Sequence, residues 1–555
     1  MPSASASQQS TMQQRRQAAV AGQQLRVGAE IDLICESLAF GGQGVCKLPD
    51  GYTIFCDRAL PGEHLRARIT AVKKTHASAV KVAVSKPHDH AVEAPCVHYG
   101  QGCGGCSMQN LAYTAQLAAK KQQVVDALAR IGKVDGARSL VKPVVPCEQP
   151  FRYRNKMAFT FAPQQAQLPS GLPGPAGFGL RNISNPREVL PVWECWLQDE
   201  TANRILQIIT AAVQVQHGTE ELPQLKPWVK RKGLKPQVEK VTIRSGLDPK
   251  TRERAYMVIL HNSLPSLHRS RVRESPPEEA AQRRREGKTL ENNQSKEIRR
   301  KRPKGLVGLV NLLHREVPQI AAIYQCTEPM PGMDVEDAAD SLALVSSTEA
   351  ADKEGSYRDR LVEEICGLDF VITPLSFFQT NPAQTEKLYK IVSDAAGFSG
   401  NCSEVLLDLY SGTGTIALCL ASQCKEVYGV ESNQHAVGDA TENARSNSIR
   451  NACFLQADLS EYRDMAHVAE RVPRADIVIA DPARAGLGKP VIEYLLGCGA
   501  HTLVYVSCNP ATQARDIQLL THGAEQNSFR LESVQPVDMF PHTEHIESVA
   551  LLRRS

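Results

Sequence analysis

From about residue 374 onward the sequence alternates short apolar, β-branched runs with longer stretches of helical periodicity; the runs include Val405–Leu409, residues 426–430, Ile477–Ala480 and residues 503–506. Runs this short that carry few polar positions belong to strands buried on both faces, which a parallel sheet covered by helices on each side provides. The C-terminal third of the chain is therefore expected to be a doubly wound α/β unit. Such sheets bind ligands outside the carboxyl ends of their strands, where the strand order reverses. Residues just past each strand end are accordingly the candidates for chemistry.

With 555 residues the chain exceeds one compact core. Residues 25–86 alternate apolar and polar positions between Gly41, Gly42, Gly44, Asp50-Gly51 and Pro61-Gly62, the pattern of short strands and tight turns expected of a small OB-like β-barrel. Its Arg66, Arg68, Lys73, Lys74 and Lys81 are candidates for contact with a polyanion. Residues 87–370 form a central α+β region, with strand-like runs such as Lys156–Ala162 and residues 240–243 and two stretches that read as insertions. Residues 269–304 are dense in charged residues, Ser, Pro and Gln, too poor in apolar groups to offset the entropy of ordering; residues 327–357 read as an acidic surface excursion. Residues 371–555 hold the α/β unit. Residues 1–24, rich in Gln, Ser and Ala, suit a disordered tail or an organelle transit segment, which leaves the cytoplasm, a mitochondrion or a plastid open.

Composition excludes little. The chain is 42% hydrophobic and 22% charged, and it lacks a run of about 18 apolar residues able to cross a bilayer. A net charge of +4 tolerates a polyanionic partner without demanding one. Sixteen cysteines with no apolar leader point to reduced thiols.

The run Val405–Leu409 leads into Tyr410-Ser411-Gly412-Thr413-Gly414-Thr415, with helical periodicity from Ile416. Glycines there let backbone approach a ligand. Glu431 ends the next strand and is placed for a ribose diol, and Asp458 ends a third, within reach of an adenine. This spacing suits NAD or S-adenosylmethionine. The loop lacks the G-x-G-x-x-G helix start that holds a pyrophosphate, and S-adenosylmethionine has none to hold.

The segments D-L-Y-S-G-T-G-T and G-V-E resemble class I methyltransferases. Val506-Ser507-Cys508-Asn509-Pro510 and Phe540-Pro541-His542-Thr543-Glu544-His545-Ile546-Glu547 resemble the two signature motifs of the uracil-5 RNA methyltransferase family. Asp481-Pro482-Ala483-Arg484-Ala485-Gly486 resembles its D-P-P-R-x-G loop, with Ala483 in place of the second proline. The resemblance covers nearly the whole chain from Leu25 apart from the two insertions. It implies a Rossmann-like methyltransferase domain, Cys508 as nucleophile and Glu547 as base, with S-adenosylmethionine bound by Gln379, Tyr410, Thr415, Glu431, Asp458 and Asp481. Uridine C5 is a poor nucleophile; a thiolate adding to C6 makes it enolate-like, and a base must later remove the C5 proton. His542 and His545 read as structural or substrate-orienting rather than metal ligands. Ala59-Leu60-Pro61-Gly62-Glu63 resembles the turn of a TRAM domain, an RNA-binding barrel module.

Cys96, Cys103 and Cys106 lie close together among glycines, and Cys195 is available as a fourth soft ligand. Zinc or an iron–sulfur core suits such a set. The order of the four resembles the iron–sulfur subgroup of the family and implies a structural [4Fe-4S] cluster, although six residues separate Cys96 from Cys103 where the family commonly has five.

A stacked base cannot be methylated, so the uridine is expected to flip out of a folded RNA loop. Phe151-Arg152-Tyr153-Arg154-Asn155-Lys156 interleaves aromatic and cationic groups, a candidate contact for splayed bases. The barrel with a cysteine cluster most resembles members acting on large-subunit ribosomal RNA; transfer-RNA members share the catalytic motifs. The chain is expected to act as a monomer, without a membrane. A cytosine-5 enzyme would carry a second motif cysteine, absent at the Asp481 loop, and a non-catalytic RNA-binding factor would have no need of Cys508 and Glu547.

Overall fold

A computed structural model describes residues 25–162, 176–214, 238–263, 304–328, 342–347, 360–374, 376–472, 474–522 and 528–554. At its N-terminus β1 (Glu30–Leu38), β2 (Gly44–Lys47), β3 (Thr53–Asp57), β4 (His64–Val72) and β5 (His76–Lys86) close into a barrel in the order β1-β2-β3-β5-β4. Strict alternation sends Ile31, Leu33 and Cys35 inward against Leu65, Ala67 and Ile69. Three of the five expected RNA-contacting cations are neutralised within the barrel: Arg66 by Asp32 (3.1 Å), Arg68 by Glu30 (3.5 Å) and Lys81 by Glu63 (2.9 Å). Lys73 and Lys74 are exposed.

The central sheet runs β12-β11-β10-β9-β6-β7-β8. Its strands are β6 (Lys156–Ala162), β7 (Gly177–Arg181), β8 (Val189–Pro191), β9 (Lys240–Leu247), β10 (Arg254–Ser263), β11 (Ile320–Glu328) and β12 (Leu342–Ser347); the hairpin β13 (Leu361–Ile365) and β14 (Leu368–Ile372) joins at β9. Both faces of β10 are buried. Tyr256, Val258 and Leu260 of β10 pack with helices Glu200–Gln214 and Lys304–Glu316, while the alternate residues Ala255, Met257 and Ile259 join the core of the C-terminal domain. The acidic-excursion reading of residues 327–357 is corrected in part. β11 continues to Glu328, and the apolar run Leu342-Ala343-Leu344 pairs with it as an edge strand. Residues 1–24, 269–303, 329–341 and 348–357 lie outside the described residues.

The C-terminal sheet has the order β17-β16-β15-β18-β19-β21-β20, from β15 (Val405–Leu409), β16 (Glu426–Glu431), β17 (Ala452–Gln456), β18 (Ile477–Ala480), β19 (Thr502–Ser507), β20 (Phe529–Val537) and β21 (Glu547–Arg554). Only β21 runs antiparallel to its neighbours. Leu407, Leu409, Val478 and Leu503 face one core, and Leu406, Ile477, Ile479 and Val504 the other, as strands covered on both sides require. The strand order reverses between β15 and β18. Helix α1 (Tyr113–Arg130), from the N-terminal half of the chain, packs Val124, Val125 and Leu128 against Ala514, Ile517 and Leu520 of α2 (Pro510–His522), and so belongs to the C-terminal core.

Candidate active site

Every expected catalytic or cofactor residue of the C-terminal domain except Gln379 stands along the edge formed by the carboxyl ends of the parallel strands, on both sides of the reversal between β15 and β18. Tyr410, following β15, has φ +64° and donates to the Leu487 carbonyl (2.6 Å). Gly412 has φ +54° and an open Cα face, so the loop can approach a ligand. At the end of β16, Glu431 accepts from the Gly412 amide (3.1 Å) and from that of Asn433 (2.9 Å), which fixes its carboxylate against the loop. Thr415 shares a 2.8 Å hydrogen bond with Tyr389. Asp458 accepts from the Ser460 hydroxyl (2.7 Å) and amide (2.9 Å), and these bonds hold its carboxyl below the ordinary range. Gln379 comes from outside the sheet. Its segment is fastened by the buried Arg244, which donates to the carbonyls of Thr373 (2.9 Å) and Ser376 (2.8 Å), and by Asn155, which donates to the Gln379 carbonyl (3.3 Å).

A cavity of about 640 Å³ opens beside this edge; Tyr410, Asp458, Leu459, Leu487 and Ile492 line it. It brings Tyr410 and Asp458 together but does not include Gln379, Thr415, Glu431 or Asp481 in its lining. Beneath the loop Asp408 is buried with Oδ1 unpartnered, and burial followed by the nearby Asp481 charge pushes its carboxyl well up. The sequence motif by itself gives Asp408 no role.

Cys508 follows β19, half-buried, and Glu547 opens β21, 4% exposed. Because β21 is antiparallel to β19 with Ser507 opposite Ser548, the start of one strand meets the end of the other. Asp481 follows β18. The three acids act on one another. Burial, then the charges of Glu547 and Asp481, pushes the Cys508 thiol up to about 11, and Arg484 opposes the shift. Burial and Asp481 push Glu547 well up, again opposed by Arg484. Burial raises Asp481 to about 7. Arg484 is visible in the Asp481 loop, yet only in the fold does its charge bear on both Cys508 and Glu547. The Arg484 loop is itself anchored, since Asn509 Nδ2 donates to the Arg484 carbonyl (3.1 Å). The set offers a nucleophile, a carboxyl able to take a proton, and a cation to stabilise developing anions.

His542 is buried and stacked on Phe151 (3.9 Å, 18°), and burial with the neighbouring Lys120 charge lowers it to about 4. His545 lies 3.3 Å from Arg484. The aromatic–cationic run at residues 151–154 is used for packing rather than presented to solvent. Arg152 pairs with Glu194 (2.6 Å) and donates to the Cys195 carbonyl (3.0 Å), and Tyr153 is buried with its hydroxyl on the Pro541 carbonyl (3.2 Å).

Cys96, Cys103, Cys106 and Cys195 are all buried in one core cluster. A Cβ on Gly104 would lie 2.8 Å from the Arg181 carbonyl, so the loop between the thiols needs glycine there, and one on Gly105 would displace the end of the Leu180 side chain (2.7 Å). Burial raises Cys103 to about 12, with Cys195 and Cys96 adding to the shift. Arg58 of the barrel donates to the carbonyls of Tyr99 and Cys103, and the buried Nε of Arg154 has no partner. Among the described residues no three His, Cys, Asp or Glu side chains are arranged to hold a single metal ion.

Residues 367–555 match the family described as tRNA (Uracil-5-)-methyltransferase. The chain is 30% identical over 528 residues to an uncharacterized RNA methyltransferase of Halalkalibacterium halodurans, covering 94% of this chain and 96% of the relative. It is 31% identical over 533 residues to one of Caldanaerobacter subterraneus subsp. tengcongensis, covering 96% and 99%. Its fold is similar to that of the Pyrococcus abyssi tRNA (uracil-54, C5)-methyltransferase, solved in complex with S-adenosyl-L-homocysteine, with a TM-score of 0.63, 23% identity and coverage of 94% and 99%. Full-length similarity to RNA methyltransferases, the C-terminal family match and the strand order of the catalytic sheet agree: the chain is an enzyme of the RNA uracil-5-methyltransferase family.

Proposed function

We propose that this enzyme methylates C5 of a uridine in large-subunit ribosomal RNA through a covalent adduct between Cys508 and C6. The observation that carries the reading is the meeting of Cys508, Glu547, Asp481 and Arg484 at one sheet edge beside the cofactor loop. S-adenosylmethionine, when bound, supplies an electrophilic methyl group. Tyr410, Thr415, Glu431, Asp458, Asp481 and Gln379 are the residues proposed to hold it, and the cavity at Tyr410 and Asp458 together with the unpartnered Asp408 oxygen supports the fit.

Cys508, as thiolate, forms the Sγ–C6 bond, and the electron pair of the C5–C6 double bond becomes available at C5, which takes the methyl. Arg484, whose charge favours the ionised thiol, eases the first event. Glu547 then removes the C5 proton; that bonding pair reforms C5–C6 and expels the thiolate of Cys508. A base with a raised pKa suits proton abstraction from carbon near neutral pH. Cys96, Cys103, Cys106 and Cys195 are proposed to hold a structural [4Fe-4S] cluster. Their burial together in one core, with glycines in the turn between Cys103 and Cys106, supports that reading, and zinc is the alternative for such a thiol set.

The ribosomal substrate is supported by the combination of barrel and cysteine set; transfer RNA is the second reading, favoured by the description of the matching family. Nucleoside analysis after incubating the protein with labelled S-adenosylmethionine and either RNA tests the reading. Label in 5-methyluridine from 23S-type RNA is expected. Label in 5-methylcytidine, or none from either RNA, would overturn it, and label from transfer RNA alone would select the second substrate.

A further inference from the structure

Helix α1 buries a polar stripe. Tyr113, Gln116 and Lys120 recur at helical spacing on one face, and Gln116 and Lys120 are both 0% exposed. All three side chains end on residues 538–542, the segment that leads from β20 to Glu547. Lys120 Nζ stands 2.6 Å from Asp538 Oδ1 and donates to the Phe540 carbonyl (3.1 Å), and the Tyr113 hydroxyl donates to Asp538 Oδ2 (2.9 Å). Gln116 Oε1 accepts the His542 amide (3.1 Å). Its Nε2 lies 3.2 Å from His542 Nδ1 and donates to the carbonyls of Met108 (3.0 Å) and Leu111 (2.8 Å).

The residue so gripped is strained. His542 has φ +65°, a conformation that a residue with a side chain adopts rarely and keeps only where its surroundings enforce it. The remaining bonds serve the same turn: the Ser107 and Met108 amides both donate to the His542 carbonyl (3.0 Å each), and Ser107 Oγ donates to Glu544 (2.8 Å). Cys508, by contrast, sits on a loop held from within the C-terminal domain. Gln513 Nε2 donates to the carbonyls of Tyr505 (2.9 Å) and Ser548 (3.1 Å), and the Asn509 amide donates to Ser507 Oγ (3.1 Å). Glu547 shares the Gln513 and β19 bonds through Ser548, but the bonds from α1 and Ser107 reach only the segment before Glu547 and none of them reaches the Cys508 loop.

We propose that Gln116 is a positioning residue, supported by Lys120, which acts through the left-handed His542 turn to set where Glu547 stands when it removes the C5 proton. This rests on the role proposed above for Glu547. A misplacement of about 1 Å is enough to slow a proton transfer by a large factor, and loosening this clamp moves the base while leaving the thiol in place. The polar stripe of α1 is then explained as a device for one step of the reaction.

The test is a single-turnover reaction with RNA tritiated at uridine C5 and methyl-labelled S-adenosylmethionine. It follows formation of the denaturation-resistant methylated adduct and, separately, release of tritium to water. Gln116→Met should form the adduct within about threefold of the wild-type rate and release tritium about tenfold or more slowly, with cofactor affinity unchanged. Ser107→Ala, which removes only the bond to Glu544, should show the same selectivity to a smaller degree, and it carries the test if Gln116→Met fails to bind cofactor. Equal slowing of both steps, or no slowing of tritium release in a folded variant, overturns the proposal. Glu547→Gln separates the two ideas: if it releases tritium at the wild-type rate, the role of Glu547 falls; if it blocks release while Gln116→Met and Ser107→Ala do not, only the positioning role falls.

Discussion

Ser548 stands opposite Ser507 on antiparallel strands, and this register is what brings Glu547 to Cys508. In an otherwise parallel sheet, residues at the beginning of a strand are normally remote from the edge where ligands bind. The one antiparallel strand reverses that rule for Glu547. Its carboxyl and the Cys508 thiol consequently share burial, the charge of Asp481 and the opposing cation Arg484.

On the proposed mechanism Cys508 acts on the base and not on the cofactor, so Cys508→Ala should abolish methylation while leaving S-adenosylmethionine affinity within about tenfold of wild type, or about 1.4 kcal/mol. Titration of cofactor binding to the purified variant measures this. A larger loss would mean that the thiol belongs to the cofactor site.

Arg484 lowers the pKa of both Cys508 and Glu547, so removing it raises both. Each group then requires a higher pH to ionise. In Arg484→Met the acidic limb of the rate of adduct formation should move to higher pH by about one unit, the scale of an opposite charge within a few ångströms. An unmoved limb would show that the guanidinium does not govern the nucleophile.

The strands of the catalytic sheet are legible in the sequence because each is an apolar run ended by a loop with chemistry in it: Leu409 before Tyr410, Ala480 before Asp481, Ser507 before Cys508. What local pattern does not carry is pairing between distant segments. Arg66 and Arg68 read as cations free for RNA until β1 folds against β4 and brings up Asp32 and Glu30. Arg152 reads the same way until Glu194 and Cys195 close over it. Gln116 and Lys120 carry no local signal of burial, and only the return of residues 538–542 to α1 buries them. β12 is invisible because an edge strand needs only a short apolar run, and this one is flanked by acidic and small residues.

The Lys120–Asp538 pair gives a prediction about stability. Both side chains are 0% exposed at 2.6 Å, so Lys120→Met leaves a buried carboxylate facing no cation. Breaking such a pair costs about 3–5 kcal/mol, whereas replacing both partners by neutral groups costs far less. Lys120→Met should lower the urea midpoint markedly, and the added change Asp538→Asn should restore most of it. A loss below about 1 kcal/mol in the single variant would contradict this account.

Protein purified without oxygen should be brown and hold about four irons per chain, with Cys195→Ser losing the colour. Burial holds Cys103 at about 12, so ligation must displace a proton there, and metal content should fall as the pH of reconstitution falls. Stoichiometric zinc without iron would refute the cluster.

On the proposed mechanism, Glu547→Gln preserves the shape of the side chain and removes only the base, after the point at which the methyl group has already arrived. The Sγ–C6 bond of Cys508 cannot break until the C5 proton leaves, because the electrons that expel the thiolate come from the C5–H bond. The variant should therefore accumulate a protein–RNA complex that survives denaturation and carries one labelled methyl group. Cys508→Ala in the same chain should form none. Glu547 is buried beside Asp481 and Arg484, and burial raises Asp481 to about 7, so a partly protonated Asp481 offers a second acceptor close by. The two are told apart by the label. If Asp481 were the base, Glu547→Gln would turn over near the wild-type rate and Asp481→Asn would be the variant that traps the methylated adduct. A trapped complex without the methyl label would instead place Glu547 before methyl transfer, and the order of events assigned to it would be wrong.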